Sequence, residues 1–200
     1  MATIYQVAER AGVSLSTVSR VLNGKTTVNA TLKAKVEKAM LELNYRPNSV
    51  ARSLATSRSD SVGILVSELN TPFFGDLMQG VESTLRVADK HVIITVGHNN
   101  LETEQDAVEF LISRNCDALI MHAEAMRDED LVALNEKRLP IALVNRQVTG
   151  LENNCIALDN EKGGYLATSH LLELGHKDIA YISGPMKIRD ACHRLKGHKR

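Results

Sequence analysis

The stretch that decides the first part of the fold runs from Val7 to Gly24 and reads VAERAGVSLSTVSRVLNG. Glycine stands at two helix boundaries, Gly12 and Gly24, where a residue that tolerates a positive φ ends a helix. Ser14 is a favourable N-cap, and the apolar residues from Val18 onward repeat at helical spacing. The stretch therefore predicts the end of one short helix, a turn of three or four residues, and a second short helix.

Signals on both sides of this stretch complete a unit of three helices. Upstream, Thr3 and Gln6 form a capping box for the first helix. Downstream, Asn29 is the N-cap of a third helix whose apolar positions extend to Leu43. Two short helices joined by such a turn make a helix-turn-helix layout, and the whole unit is all-α.

The predicted outer face of the second helix carries small hydroxyl side chains and Arg20. An ordinary solvated helix face is rich in glutamate and lysine instead. Small polar residues let a helix enter the major groove, and arginine can donate two hydrogen bonds to one guanine. This face favours DNA binding over the alternative, a helical bundle without a ligand.

The charge distribution also favours a polyanionic partner for the N-terminal part of the chain. The 200 residues carry 24 lysines and arginines and 24 acids, but residues 1–60 hold nine bases against four acids.

The first residues lack an apolar signal segment, and no run approaches the roughly 18 apolar residues of a membrane span. Three cysteines far apart exclude a disulfide scaffold and suit a reducing compartment. We therefore expect a cytoplasmic protein with no membrane partner.

From residue 61 onward, short apolar runs alternate with amphipathic segments. The expected strands are 62–66, 92–96, 117–121, 141–144, 155–158 and 179–182, and the expected helices are 74–86, 102–113, 128–135 and 162–174. This alternation predicts a parallel sheet covered by helices on both faces, hence an α/β body behind the all-α head. Ligands of such sheets bind at the carboxyl ends of the strands.

Signatures of catalysis and of cofactor binding are weak in this body. The loop after the first expected strand, residues 67–72, lacks the glycines of a dinucleotide site, and the chain has neither a phosphate-binding loop nor an H-E-x-x-H motif. Cys192 and His193, together with His198, are too loosely spaced to favour a metal site. We expect no enzyme, no cofactor and no metal.

Residues 7–24, followed by LNYRPNSVARSL at residues 43–54, resemble the lactose/galactose repressor family of bacterial transcription regulators. The resemblance is ungapped at these motifs, continues along the whole chain, and is nearest to the galactose-repressor branch. It implies a helix-turn-helix head at residues 1–47, a hinge at 48–60, and a core like the periplasmic sugar-binding proteins. In that core, the first lobe would cover residues 61–158 and residues 159–200 would begin the second lobe.

The resemblance implies a DNA-binding surface on the head and the hinge. Residues matching Leu15, Ser16 and Arg20 would discriminate bases, and Leu54 would wedge between base pairs in the minor groove. Two alternatives stay open: Leu15 as a core residue, and Arg20 as a phosphate contact only. The full set of candidates is Thr3, Ser14, Leu15, Ser16, Thr17, Ser19, Arg20, Asn23, Asn48, Ala51 and Leu54.

The resemblance also implies a small-molecule site between the two lobes. Either Phe73 or Phe74 would stack on the apolar face of a sugar, and the other is expected to close the core of the first lobe. Asn145 and the weaker candidate Asp159 follow strand ends. Arg194 would bind the effector through a forked contact of its guanidinium group. The equally weighted alternative is that Arg194 is only an exposed surface residue.

These expectations combine into a dimeric repressor that binds a palindromic DNA operator and is modulated by a small sugar-like effector. Half-sites would lie about 34 Å apart, one turn of the DNA helix. Family members extend well past residue 200, so we expect an incomplete second lobe. The alternative is a cytoplasmic sugar-binding α/β protein with a structural head. A third interpretation is a truncated repressor that does not respond to an effector.

Overall fold

A computed structural model of the chain describes residues 2–22, 28–47, 53, 58–136 and 139–200. The chain divides into two compact units, the head, Met1–Ser59, and the sheet unit, Asp60–Arg200. Within the described ranges, no helix has the length and apolar character needed to cross a membrane.

The head consists of three helices, α1 (Ile4–Ala11), α2 (Leu15–Leu22) and α3 (Ala30–Glu42). The capping box that begins α1 is confirmed: Gln6 N donates to Thr3 Oγ1 at 3.3 Å, and Thr3 N donates to Gln6 Oε1 at 2.9 Å. Gly12 ends α1 at a φ of 64°, which is why glycine is suited to this position. The small core of the head is formed by Val7, Ala8, Val18, Val36 and Ala39.

The sheet unit is built on five parallel strands in the order β2-β1-β3-β4-β5. The strands are β1 (Ser61–Val66), β2 (His91–Val96), β3 (Ala118–Met121), β4 (Ile141–Val144) and β5 (Cys155–Ile156). The helices are α4 (Pro72–Val87), α5 (Leu101–Ser113), α6 (Asp128–Glu136), α7 (Asn160–Glu173) and α8 (Arg189–His198), with a 3₁₀ turn at Glu152–Asn154. The expected α/β class with a parallel sheet is confirmed.

Successive residues of β1 face two separate cores, because side chains alternate across a strand. Leu65 packs in the larger cluster with residues of α5 and α6, among them Leu111 and Leu131. Ile64 and Val66 pack with Phe74 of α4 in the smaller one. Helices therefore cover both faces of the sheet and leave the carboxyl ends of its strands as the open edge.

Two expectations about the last fifty residues need correction, and one helix there was not foreseen. The strand expected at 179–182 does not form: Ile182 is 97 % exposed, and no strand in the described part of the chain pairs with it. An extended segment needs a neighbouring strand for its backbone hydrogen bonds. The strand expected at 155–158 is only two residues long, and α8 was not expected at all.

Helices α7 and α8 pack closely because glycine stands at both contact points. A Cβ on Gly164 would overlap the backbone of Arg194, and a Cβ on Gly197 would overlap the backbone of Glu161. Lys196 Nζ adds an ion pair to Glu161 Oε2 at 2.7 Å.

Candidate nucleic-acid interface and ligand cleft

The turn between α1 and α2 is ordered by the hydroxyl group of Ser14. Its Oγ lies 2.9 Å from both Ser16 Oγ and Thr17 Oγ1, and the backbone N–H of Thr17 donates to it at 3.2 Å. This is the N-cap role expected for Ser14. The linked hydroxyl groups hold the first turn of α2 in one conformation.

The remaining side chains of α2 divide into a buried side and an outer side. Val18 is fully buried in the core of the head, whereas Ser16 and Arg20 are exposed. Leu15 is 38 % exposed and lies outside the cluster of fully buried residues, and Ser19 is half-buried. Thr3 uses its hydroxyl group and its N–H in the capping box. Four candidates, Asn23, Asn48, Ala51 and Leu54, lie outside the described residues.

Three polar side chains meet where β1, β2 and β3 end. Ser67, directly after β1, donates from its Oγ to Asn99 Oδ1 at 2.6 Å, and the same Oγ lies 2.8 Å from His122 Nδ1. Ser67 and His122 are both buried. His122 Nε2 faces Glu124 Oε1 at 3.8 Å. The carboxyl edge of the sheet therefore carries a connected polar cluster, as expected for a ligand site on this type of sheet.

The two phenylalanines of α4 have different surroundings beside this cluster. Phe74 is 8 % exposed and packs in the smaller core, with its ring edge-on to His122 at a centroid distance of 5.0 Å. Phe73 is 45 % exposed and touches Phe74 edge-on at 5.0 Å. One of the two rings was expected to close the core, and Phe74 has this position. Phe73 is therefore the aromatic ring that a ligand could reach.

A buried carboxylate holds the loop that follows β3. Glu104 of α5 is 0 % exposed, and its two oxygens accept the backbone N–H groups of Glu124, Ala125 and Met126 at 2.8–3.1 Å. A buried charge is tolerated when hydrogen bonds satisfy it. Glu104 thereby fixes the backbone that carries Glu124.

A buried guanidinium holds the same loop from the other side. Arg146, two residues after β4, is 2 % exposed. It donates to the carbonyl oxygen of Ala123, to that of Met126 at 2.7 Å, and to the carboxylate of Asp128. Asp128 Oδ1 also lies 3.8 Å from Arg189 Nη2 of α8. Glu104 thus accepts hydrogen bonds from the N–H groups of the loop 123–127, and Arg146 donates hydrogen bonds to its carbonyl groups.

The other candidate ligand residues lie in two places. Asn145 follows β4 with a φ of 57°, and its N–H donates to Ile156 O at 2.7 Å. Asp159 caps α7 by accepting from Lys162 N at 2.9 Å. Arg194 of α8 donates to Asn160 Oδ1 at 2.6 Å and has an exposed fraction of 47 % for its side chain. Asn160 thus brings Arg194 next to Asp159.

Sequence reasoning missed Ser67, Glu104, His122, Glu124 and Arg146. Ser67 and His122 each follow an expected strand directly, so the strand-end rule could have found them. Glu104 and Arg146 carry no such signal, because a charged residue on a helix or in a loop is ordinarily solvated. Among the residues that the structure describes, no group of three or more His, Cys, Asp or Glu side chains could hold a metal ion.

Comparison with known protein families gives two matches that together cover nearly the whole chain. Residues 3–48 match the model of "Bacterial regulatory proteins, lacI family". Residues 59–199 match the model of "Periplasmic binding proteins and sugar binding domain of LacI family". The second match alone covers more than half of the chain.

Individual relatives are similar over the full length of this chain but are longer themselves. The HTH-type transcriptional regulator GalR of Escherichia coli K12 is 40 % identical over 198 residues, which is 99 % of this chain and 58 % of the relative. The ribose operon repressor of Haemophilus influenzae is 35 % identical over 199 residues and is covered to 60 %. The chain therefore spans somewhat more than half the length of these curated relatives.

Solved structures agree with the fold. The lac repressor dimer bound to operator and the anti-inducer ONPF matches with a TM-score of 0.83 at 33 % identity, over 99 % of this chain and 61 % of the repressor chain. A complex of the transcriptional regulator CelR with cellobiose matches with a TM-score of 0.57 at 29 % identity, over 100 % of this chain and 60 % of that chain.

Proposed function

The chain belongs to the lacI family of bacterial regulatory proteins, and from this we propose that it acts as a sequence-specific DNA-binding transcription regulator. In this proposal it is a repressor that binds a palindromic operator as a dimer in the cytoplasm. A small sugar-like effector changes its affinity for DNA by binding in the cleft of the sheet unit, by which we mean the carboxyl edge of the sheet around Phe73, Ser67 and His122. It performs no catalysis.

The observation that carries the DNA-binding part is the outer face of α2. Ser16 and Arg20 are exposed there, and the linked hydroxyl groups around Ser14 keep the first turn fixed. A short helix with small polar side chains can approach base edges closely, and the guanidinium fork of arginine can bind guanine through two hydrogen bonds.

The lac repressor structure is a dimer on its operator, and two-fold symmetry in a protein corresponds to palindromy in its DNA. In the proposed dimer, the early helix of the sheet unit, α4, contributes to the interface, as the resemblance to the repressor family implies; its last residue, Val87, is 89 % exposed. Leu54 in the hinge would insert at the centre of the operator.

The effector part is supported by the polar edge of the sheet and by the exposed ring of Phe73. An aromatic ring stacks on the apolar face of a sugar, and the polar groups beside it bind hydroxyl groups. Asn145 contributes from the same edge of the sheet, whereas Asp159 and Arg194 contribute from α7 and α8. The similar solved structure of the transcriptional regulator CelR is a complex with cellobiose, which is a sugar.

The DNA-binding proposal is tested by the fluorescence anisotropy of a labelled palindromic duplex, selected from a random half-site pool, against a scrambled duplex. Arg20→Ala and Arg20→Lys should each lose about 1–3 kcal/mol of discrimination between the two duplexes. Arg20→Lys retains the positive charge, so a loss of discrimination in this variant is due to the missing guanidinium fork. Lys33→Ala is the matched control, an exposed base on α3, and should keep the discrimination of the parent. Equal discrimination in all four proteins would overturn the assignment of α2.

The effector proposal is tested by isothermal titration calorimetry with galactose, ribose and adenine. Phe73→Ala should weaken the binding of a sugar. Phe110→Ala is the matched control, because its ring is equally exposed on α5 and lies outside the cleft. Absence of heat across the panel would contradict a sugar effector and leave the DNA-binding proposal standing.

A further inference from the structure

The polar cluster at the carboxyl edge of the sheet fixes where the protons of His122 lie. The single hydroxyl hydrogen of Ser67 is donated to Asn99 Oδ1 at 2.6 Å. The contact of 2.8 Å between Ser67 Oγ and His122 Nδ1 then needs its hydrogen from the imidazole. Neutral His122 is therefore the Nδ1–H tautomer, with a bare lone pair on Nε2.

This tautomer places two acceptors opposite each other. The lone pair of His122 Nε2 faces Glu124 Oε1 at 3.8 Å, and the side chains of both residues are only 10 % and 13 % exposed. A second proton, on Nε2, turns the repulsive pair into an imidazolium and a carboxylate. The separation is too long for a direct hydrogen bond.

Other charged groups near this loop already have partners. Glu104 of α5 accepts the backbone N–H groups of residues 124–126, and Arg146 after β4 binds backbone carbonyl groups and Asp128 of α6. Phe74 contributes only an aromatic edge from α4. The titratable neighbours of Ser67 and Asn99 in their loops, Glu68 and His98, are both exposed. Glu124 is therefore the charged group that directly faces His122.

A ligand hydroxyl group that contacts both Nε2 of His122 and the carboxylate of Glu124 can satisfy the two in only one protonation state. With Nε2 protonated, the hydroxyl oxygen accepts from His122 and its hydrogen goes to Glu124, so every group is satisfied. With Nε2 bare, one hydroxyl hydrogen cannot serve two acceptors, and an unsatisfied buried acceptor is costly.

We propose that His122 and Glu124 together hold one hydroxyl group of a polyhydroxylated effector, and that His122 takes up a proton when the effector binds. The inference rests on the proposed effector function of the same cleft. Because a proton is taken up on binding, the two equilibria are linked, and effector binding weakens as the pH rises. The affinity of the cleft then depends on the pH of the cytoplasm.

The first experiment needs no effector. ¹⁵N–¹H correlation spectra of the histidine rings at pH 8.5, with His122 assigned by its loss in His122→Gln, distinguish the two neutral tautomers. We expect the Nδ1–H tautomer for His122. The Nε2–H tautomer would overturn the proposal, because Nε2–H could then donate to a ligand without proton uptake.

The second experiment measures the proton count with D-galactose as the probe. Calorimetry at pH 8 in two buffers of different ionisation enthalpy should show uptake of up to about one proton per galactose, with affinity falling by up to about tenfold per pH unit. Glu124→Gln should abolish the uptake, because its amide can donate to the oxygen of the ligand hydroxyl group, whose hydrogen then goes to the bare Nε2 of His122. His98→Gln, at an exposed histidine after β2, should retain it.

The outcomes separate this inference from the proposed function. Galactose binding with no proton uptake and no pH dependence would overturn the role of His122 while leaving the cleft as a sugar site. No binding of galactose would count against the sugar effector, and the tautomer of His122 would still decide the proton arrangement independently.

Discussion

The head and the sheet unit handle polar side chains in opposite ways. Among the described residues of the head, the buried ones are all apolar, and the DNA-binding candidates on α2 have their polar groups outward or half-buried. All the buried polar and charged residues of the described chain belong to the sheet unit, and they are Ser67, Glu104, His122, Arg146 and Asn160. We therefore expect that DNA recognition and stability can be altered separately in the head, whereas in the sheet unit the buried polar residues lie in or next to the candidate site and also hold its loops.

The largest effect expected from this comparison is at Arg146. Arg146→Ala removes a guanidinium that is 1 % exposed, and it leaves Asp128 and two carbonyl groups without their donor. Asp128 is 43 % exposed and can be solvated, but the two carbonyl groups belong to buried residues, and each unsatisfied buried acceptor costs about 1–3 kcal/mol. The measurement is the free energy of unfolding of the sheet unit in urea, followed by circular dichroism.

Arg127→Ala is the control for this prediction. Arg127 also pairs with an acid of α6, Asp130, and its guanidinium hydrogen bond lowers the pKa of that carboxyl group. Its side chain is 69 % exposed, so solvent screens the pair and the stability should hardly change. Equal losses of unfolding free energy in Arg146→Ala and Arg127→Ala would show that the burial of Arg146 does not contribute to stability.

The next effect in size is at Glu104. Glu104→Gln replaces an oxygen acceptor by an amide group that points its own hydrogens at the buried N–H groups of residues 124–126. We expect a loss of about 2–3 kcal/mol, because hydrogen bonds to a charged group are lost and donors stay unsatisfied. Glu109→Gln, at an exposed position of the same helix, should be neutral in the same urea titration. A neutral Glu104→Gln would contradict a structural role for the carboxylate.

The same contrast explains how much the sequence could predict. The head was predictable because its caps and apolar positions act within one turn of helix, as at Thr3 and Gly12. The parallel sheet was predictable from its apolar runs. Glu104 was not, because its burial depends on a loop 20 residues further along the chain. The strand expected at 179–182 failed for a related reason, since a strand exists only with a neighbour to pair with.

The candidate sites follow the same rule. The outer face of α2 could be predicted because helical periodicity decides which side chains point away from Val18. For the proposed cleft, the sequence named only the candidates Phe73, Phe74, Asn145, Asp159 and Arg194. Which of the phenylalanines is buried, and which groups meet Ser67, depend on the order of the strands across the sheet, and this order is a long-range property.

A smaller effect is expected where α7 meets α8. Gly164→Ala places a Cβ against the backbone of Arg194, which cannot move aside as a flexible side chain would, and should cost about 1–2 kcal/mol. Gly163→Ala meets no atom within 4 Å and should stabilise α7 by up to about 1 kcal/mol, since alanine favours a helix. Amide hydrogen exchange of α7 measures both changes in stability. A change of the same sign in the two variants would contradict the close packing of α7 and α8.

The smallest effect tests the head, where stability and recognition should separate. Thr3→Ala removes the side-chain half of the capping box and should cost the head about 1 kcal/mol, measured by its thermal unfolding. Ser16→Ala should leave the unfolding temperature nearly unchanged, because Ser16 is exposed and Ser14 still caps α2 through Thr17. In the anisotropy assay, Ser16→Ala should nevertheless weaken discrimination between the operator and the scrambled duplex. A loss of stability in Ser16→Ala as large as that in Thr3→Ala would mean that the outer face of α2 supports the fold as well, and the contrast between the two units would then fail.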